Sequence, residues 1–285
     1  MTQQTDDFAI GENLVKFLAQ LLTKCGATPV LWGDCALTVH GGPSIIGVIA
    51  PLIDSPHFTL RTIDQRIEFI VEDDKLPGAV AALKESGLSP CADPRLCYVS
   101  GVSVEPPFPA LHMHIGMSGV YVILWPHSTI LWSFPSPSHI NLECKQDDPH
   151  ASLRYVLASD TSVLPGPRLG RGRGAFSKDG GHVVVPSAST MLEAYIRLTS
   201  AYRGQTDTFY LSMITYVEEY IDADGLLDDT LLSEPCRAFW RGLKNGQRGV
   251  RELVDELQLS LGDGDNDTGS SDDSELAADL STGWK

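Results

Sequence analysis

The feature of this chain that most constrains its fold is a long stretch without a single charged side chain. Residues 106–142 contain no Asp, Glu, Lys or Arg, although charged residues make up 20% of the sequence. Within the stretch, Gly119–Trp125 and Thr129–Phe134 have the apolar composition of β-strands, and Pro126–Ser128 separates them. Strands that are apolar on both faces are typical of a sheet covered by other elements on both sides. The stretch therefore predicts a buried sheet.

The segments before this stretch alternate between helical and strand patterns. Apolar residues from Ile10 to Leu22 recur at helical spacing, and Gly26 can end that helix. The remaining segments are a short strand at Val30–Trp32, a short helix at 35–40, a strand at Arg66–Val71 with one polar edge, and a helix at Leu76–Ser86 that Asp73 and Asp74 can cap. This alternation favours an α/β (α+β) fold, a mixed sheet with flanking helices.

The second half of the chain is dominated by helical patterns. Four helices are predicted, at Met191–Tyr202 with Thr190 as its cap, Phe209–Ile221, Cys236–Leu243 and Val250–Leu259. The last 25 residues contain seven acidic residues and one base among Gly and Ser, a composition that cannot bury enough apolar surface to fold. We therefore predict an α/β domain over 1–160, a Pro/Gly-rich basic linker or loop over 161–186, a helical region over 187–260 and a disordered acidic tail over 261–285.

The charge balance excludes several classes of partner. The chain has 21 Lys and Arg against 37 Asp and Glu, a net charge of −16. Such a chain is not expected to bind nucleic acid or an anionic membrane, since both depend on clustered cations. The first seven residues are polar and acidic, unlike a signal peptide, and the six cysteines form no C-x-x-C pair. We therefore expect a soluble cytoplasmic protein.

Three short segments contain residue motifs that secondary structure alone does not require. They are 31–37 (LWGDCAL), where a strand ends at Gly33-Asp34 before a short helix, 67–73 (IEFIVED), and 131–135 (LWSFP) in the uncharged stretch. In this order they resemble a group of fungal nucleotidyltransferase-like proteins. In that family a strand ends at Gly-Gly, Gly-Ser or Gly-Asp before a short helix, and a later strand begins Asp-x-Asp or Asp-x-Glu. The resemblance covers roughly residues 10–135.

The resemblance implies a site with defined roles. The turn at Gly33 and Asp34 would face the phosphates of a nucleotide. Two carboxylates on one face of the later strand, and a third from a neighbouring strand, would hold two divalent metal ions. Asp64 and Glu68 share that strand face and are the candidate catalytic residues, whereas Gly33, Asp34 and Arg66 are the candidate cofactor-binding residues.

This chain departs from the family pattern at three positions. Asp34 places a negative charge where the phosphate would bind, and Arg66 stands two residues before Glu68, where the first metal-binding carboxylate is needed. Asp64 is four residues from Glu68, about 13 Å along a strand, which is too far to serve the same metal pair. The uncharged stretch offers no third carboxylate. Two structural alternatives are that Asp34 caps the short helix and that Arg66 and Glu68 form a surface ion pair.

These departures predict a catalytically degenerate nucleotidyltransferase-fold protein that binds a nucleotide, a small molecule or a protein partner. The alternative is an active metal-dependent nucleotidyltransferase acting on a small molecule, for which Mg²⁺ would be the cofactor. Under the first interpretation no cofactor and no metal ligand are assigned. His112 and His114 alternate on one strand face, but no Cys, Asp or Glu lies near them in the sequence, so we interpret them as structural.

Two charged stretches stand out in the second half. Arg168, Arg171, Arg173 and Lys178 give a basic loop around Gly170–Gly174 that contains no acid, whereas 218–234 contains seven acids and no base. A flexible basic loop can bind a phosphate or RNA, but a mobile surface loop that offsets the acidic remainder is the simpler interpretation.

Overall fold

The computed structural model describes residues 11–43, 65–91, 106–115, 120–139, 153–205 and 207–265. The strands are β1 (Val30–Trp32), β2 (Gln65–Val71), β3 (Ser89–Pro90), β4 (Leu111–Ile115), β5 (Val120–Pro126), β6 (Tyr155–Leu157) and β7 (Val184–Pro186). The α-helices are α1 (Glu12–Lys24), α2 (Gly33–Val39), α3 (Leu76–Glu85), α4 (His127–Ile130), α5 (Ala188–Ala201), α6 (Asp207–Tyr216), α7 (Glu234–Asn245) and α8 (Val250–Asp265).

The strands form one mixed sheet in the order β3-β4-β5-β2-β1-β7-β6. At its centre, β2 pairs antiparallel with β1 and parallel with β5. In this register Glu68 lies opposite Trp32 on one side and opposite Ile123 on the other. The centre of the sheet therefore brings together segments 31–37 and 67–73 and the strand of the uncharged stretch.

Helices α1 and α3 cover one face of the sheet. Helix α1 presents Leu14, Leu18 and Leu22 at the spacing of one helical face, and all three are buried. They belong to a core that includes alternate residues of the central strands: Leu31, Ile67, Phe69, Val71, Val122 and Leu124. Because strand side chains alternate between faces, the residues between these ones point to the opposite face of the sheet.

The C-terminal helices cover that opposite face. Helix α5 is buried over most of its length, and its core includes Leu192 and Tyr195 together with Met213 of α6, Trp240 of α7 and Leu253 of α8. The sheet contributes Val30, Trp32 and Ile70 to the same core. Arg66 and Glu68 lie on the same face of β2 as Ile70, so the helical half packs over the face that carries the candidate site.

The predicted fold class is confirmed: a mixed α/β sheet with flanking helices is followed by a mostly helical half. The predicted strand at Thr129–Phe134 is wrong, because β5 ends at Pro126 and α4 follows at once. The Asp73 carboxylate explains the turn: it accepts hydrogen bonds from the backbone N–H of Ser128 (3.0 Å) and from its hydroxyl (2.5 Å). Asp73 therefore anchors α4 and makes no capping hydrogen bond to α3.

Three predicted boundaries in the second half differ from the structure. The stretch predicted as a linker over 161–186 contributes β7, which pairs with β1 and β6. The cap of α5 is Ser187 rather than Thr190, since the Ser187 side chain accepts a hydrogen bond from the Thr190 backbone N–H. Helix α8 continues to Asp265, so residues 261–265 of the predicted tail are helical, and residues 266–285 lie outside the described part.

In the described part of the chain, every helix is too short or too polar to cross a lipid bilayer.

Candidate functional site

The turn between β1 and α2 requires glycine for two independent reasons. Gly33 has φ +62°, a left-handed conformation that other residues adopt only at a cost. A Cβ atom at this position would lie 2.6 Å from Glu68 Oε1, well inside van der Waals contact. The turn is therefore packed directly against the carboxylate of the neighbouring strand.

Glu68 is a buried carboxylate with defined partners. Its Oε2 atom accepts a hydrogen bond of 2.7 Å from the indole Nε1–H of Trp125 on β5. Its Oε1 atom lies 3.8 Å from Nε of Arg66. Only 4% of Glu68 is exposed. The interpretation of Arg66 and Glu68 as a surface ion pair is therefore wrong, because the carboxylate of the pair is buried.

Arg66 lies between two carboxylates. One guanidinium nitrogen lies 3.5 Å from Asp34 Oδ2, while Nε faces Glu68. The guanidinium is also placed over the ring of Phe209 on α6, with Cζ 5.8 Å from the ring centre. Since one cation faces two anions, the three side chains carry one net negative charge when all are ionised.

Asp34 occupies the first turn of α2 and is not its cap. The N-cap is Trp32, and no side chain caps the helix, so the alternative interpretation of Asp34 as N-cap is wrong. Its Oδ1 atom is buried and has no hydrogen-bond partner among the described residues. Burial raises the pKa of Asp34 to about 6, with a smaller upward contribution from Glu68, and Arg66 opposes both.

Helix α5 closes the site from the side of the helical layer. The Tyr195 ring lies 4.8 Å from the Trp32 ring, and the Tyr195 hydroxyl is buried without a hydrogen-bond partner in the described ranges. Burial raises the pKa of Tyr195 well above its usual value, and the Asp34 charge acts in the same direction. An unsatisfied acceptor on Asp34 and an unsatisfied hydroxyl on Tyr195 thus belong to one site.

The strand next to β2 supplies no third carboxylate. Tyr121, Ile123 and Trp125 of β5 are paired with Arg66, Glu68 and Ile70 and therefore share their face of the sheet. All residues of β5 are described, and none is acidic. The structure thus brings Gly33, Asp34, Arg66 and Glu68 together, whereas Asp64 lies outside the described residues.

Three residues of this site were not predicted from the sequence. Trp125 could have been suspected, because a buried indole N–H needs an acceptor and the strand itself offers none. Tyr195 and Phe209 come from helices more than a hundred residues away in the chain, and no local pattern connects them to the Gly33 turn.

The two charged stretches of the second half pair with each other. Asp224 Oδ2 lies 2.5 Å from a guanidinium nitrogen of Arg168, and Asp224 Oδ1 lies 3.3 Å from Arg171. Arg171 also lies over the Tyr220 ring, with Cζ 4.8 Å from its centre, and Arg173 pairs with Glu12. These ion pairs favour a structural role for the three arginines.

A separate cleft of about 330 Å³ opens between the start of α6 and the start of α8. Arg203, Asp207, Leu211 and Arg251 are among the residues that line it. Neither the Gly33 turn nor the three charged side chains of the candidate site contribute to this cleft.

The raised pKa of Asp34 predicts how stability depends on pH. Because the native state holds this proton more tightly than the unfolded state, the free energy of unfolding should fall as pH rises from about 4 to about 6. Asp34→Asn should remove this loss and stabilise the protein at pH 7.5 by about 1–2 kcal/mol, a gain that fades at pH 4. Denaturant unfolding at four pH values measures the difference.

Asp74→Asn provides the control for this experiment. The hydrogen bond from Lys75 lowers the pKa of exposed Asp74, so this variant should show a small effect of opposite sign. An Asp34→Asn variant that is less stable than the wild type at pH 7.5 would contradict the assigned environment of Asp34.

Comparisons of the chain with models of known protein families, with curated proteins and with solved structures returned no match. The function of the site is therefore inferred from its geometry and from the resemblance of the sequence.

Proposed function

We propose that this chain is a catalytically degenerate nucleotidyltransferase-like protein that binds a small-molecule ligand at the Gly33 turn without transferring a nucleotidyl group. The observation that carries the proposal is the position of Arg66 between Asp34 and Glu68. A guanidinium stays charged at any physiological pH, so it cannot ligate a metal ion and repels one from both carboxylates.

The topology supports the nucleotidyltransferase-like part of the proposal. In the family pattern, a glycine turn after one strand faces carboxylates on a later strand, and a neighbouring strand supplies a third. Here the Gly33 turn packs against Glu68 of β2, and β5 is a neighbour of β2 in the sheet. This arrangement supports the proposal, whereas the site face of β5 carries Tyr121, Ile123 and Trp125 and no acid.

The charges of the site favour a particular class of ligand. The net charge of Asp34, Arg66 and Glu68 is negative, which opposes a triphosphate that brings several more negative charges. The unsatisfied oxygen of Asp34 is an acceptor, and a buried acceptor without a partner is costly. A small molecule that donates a hydrogen bond, such as a nucleoside or an amine, therefore suits the site better than a metal-bound triphosphate.

The proposal predicts binding without turnover. Purified protein incubated with ATP, CTP, GTP or UTP and Mg²⁺ or Mn²⁺ should release no pyrophosphate above the level of a Glu68→Ala variant. Calorimetry with the same nucleotides and with the corresponding nucleosides should show that the metal does not strengthen binding. A nucleoside that binds should lose affinity in Asp34→Ala.

Two outcomes would replace this proposal. Pyrophosphate release that disappears in both Glu68→Ala and Asp64→Ala would establish the alternative, an active metal-dependent nucleotidyltransferase. Binding of neither nucleotides nor nucleosides would favour a protein partner as the ligand. A cytoplasmic location is part of the proposal, and fractionation of cells producing the full chain tests it.

A further inference from the structure

The edge of the sheet brings a cysteine to two histidines that are distant in the sequence. Strands β3 and β4 pair antiparallel, with Ser89 opposite His114 and Pro90 opposite Met113. Continuing this register by one residue places Cys91 opposite His112. Because residues two apart on a strand share a face, the Cys91 thiol and both imidazoles lie on one face of the sheet.

The three side chains are close enough to share one ligand. Cys91 Sγ and one ring nitrogen each of His112 and His114 all lie within 4.8 Å of one another, and all three residues are half-buried. Tetrahedral zinc with one sulfur and two nitrogen ligands needs separations of about 3.3–3.6 Å. Small rotations about the side-chain bonds supply the difference, since each ligand is the mobile end of a side chain.

We propose that Cys91, His112 and His114 bind a zinc ion. A thiolate with two imidazoles is a ligand set that selects zinc and similar borderline-soft ions over Mg²⁺ and Ca²⁺, which prefer oxygen. The described residues supply three of the four ligands of a tetrahedral ion. The net charge of −16 also favours the uptake of a cation.

This site is distinct from the one at the Gly33 turn. His112 is paired with Ile123 of β5, which is in turn paired with Glu68 of β2. Two strand spacings separate His112 from Glu68, about 10 Å across the sheet. Neither Arg66 nor Asp34 belongs to the cluster, so zinc binding here does not depend on the proposed function. The sequence analysis interpreted His112 and His114 as structural because no third ligand lies near them, and Cys91 is 21 positions before His112.

The proposal is tested on the purified full chain by titration with zinc in competition with a chromophoric chelator. One equivalent should bind, and Cys91→Ser, His112→Gln and His114→Gln should each weaken binding at least about 100-fold, more than the usual loss of an outer-shell partner. Cys25→Ser and His182→Gln should leave binding unchanged. Both controls change the same residue types at positions outside the cluster. Cys25 follows α1, and His182 lies two residues before β7, which is near the opposite edge of the sheet from β3 and β4.

A second measurement does not depend on how the variants fold. Titration with Co²⁺ should produce a thiolate-to-cobalt charge-transfer band, and zinc should protect Cys91 from alkylation in the wild type while Cys25, the internal reference, reacts as before. Failure to bind one equivalent of zinc would overturn the proposal. So would binding that leaves Cys91 unprotected, or binding that persists in folded Cys91→Ser and His114→Gln variants.

Discussion

A Val122→Asp variant is expected to yield no folded protein. Val122 is fully buried at the middle of β5, between Ile67 of β2 and Met113 of β4, which are also fully buried. An aspartate here has no cationic partner in the surrounding apolar core, and burying a carboxylate without a partner costs several kcal/mol. Since a whole domain is stable by only about 5–15 kcal/mol, the variant should lose soluble expression.

Val163→Asp makes the same exchange at a half-exposed position in a turn. It should express normally and change the free energy of unfolding by less than about 0.5 kcal/mol. Soluble yield, circular dichroism and thermal unfolding of the two variants give the comparison. A soluble Val122→Asp protein with a native-like melting transition would show that β5 is not central to the sheet.

The core of the fold could be predicted because buried strands have apolar residues at a characteristic spacing in the sequence. In β5 both faces are apolar, and in β2 the apolar residues alternate with Arg66 and Glu68. The positions of these two strands and the residues that share each face could therefore be inferred from spacing alone. The error at Thr129–Phe134 has a tertiary cause. The hydrogen bonds that hold the turn after Pro126 are donated by Ser128 and accepted by the carboxylate of Asp73, more than fifty residues earlier.

The candidate site was predicted only in part for the same reason. Gly33 and Asp34 begin α2 directly after β1, and Arg66 and Glu68 lie on β2, which pairs with β1. The resemblance grouped these four residues, and the structure places them together. The groups that complete the site come from elsewhere, above all Tyr195 of α5. Their approach depends on how the helical half packs on the sheet, which no local pattern encodes.

A Gly33→Ala variant is expected to be destabilised by about 2–4 kcal/mol. The left-handed φ of +62° accounts for about 1 kcal/mol, and insertion of a methyl group against Glu68 accounts for about 1–3 kcal/mol. The carboxylate can move away only by giving up the hydrogen bond from Trp125. Thermal unfolding should show a melting temperature lower by roughly 3–10 °C.

Gly87→Ala separates the two contributions to this loss. Gly87 also has a positive φ, +87°, but no atom lies within 4 Å of a Cβ placed there. This variant should therefore show only the backbone cost of about 1 kcal/mol. If Gly33→Ala is no more harmful than Gly87→Ala, the Gly33 turn is not packed against Glu68.

Glu68→Ala completes a double-mutant cycle that tests the contact itself. Alone, it leaves the Trp125 N–H without its acceptor and should cost about 2–3 kcal/mol. Combined with Gly33→Ala, it removes the carboxylate that the new methyl group would meet, so the double variant should be more stable than the sum of the two losses by at least about 1 kcal/mol. The same cycle with Gly87→Ala should be additive. Coupling confined to Gly33 would identify Glu68 as the group that requires glycine in the turn.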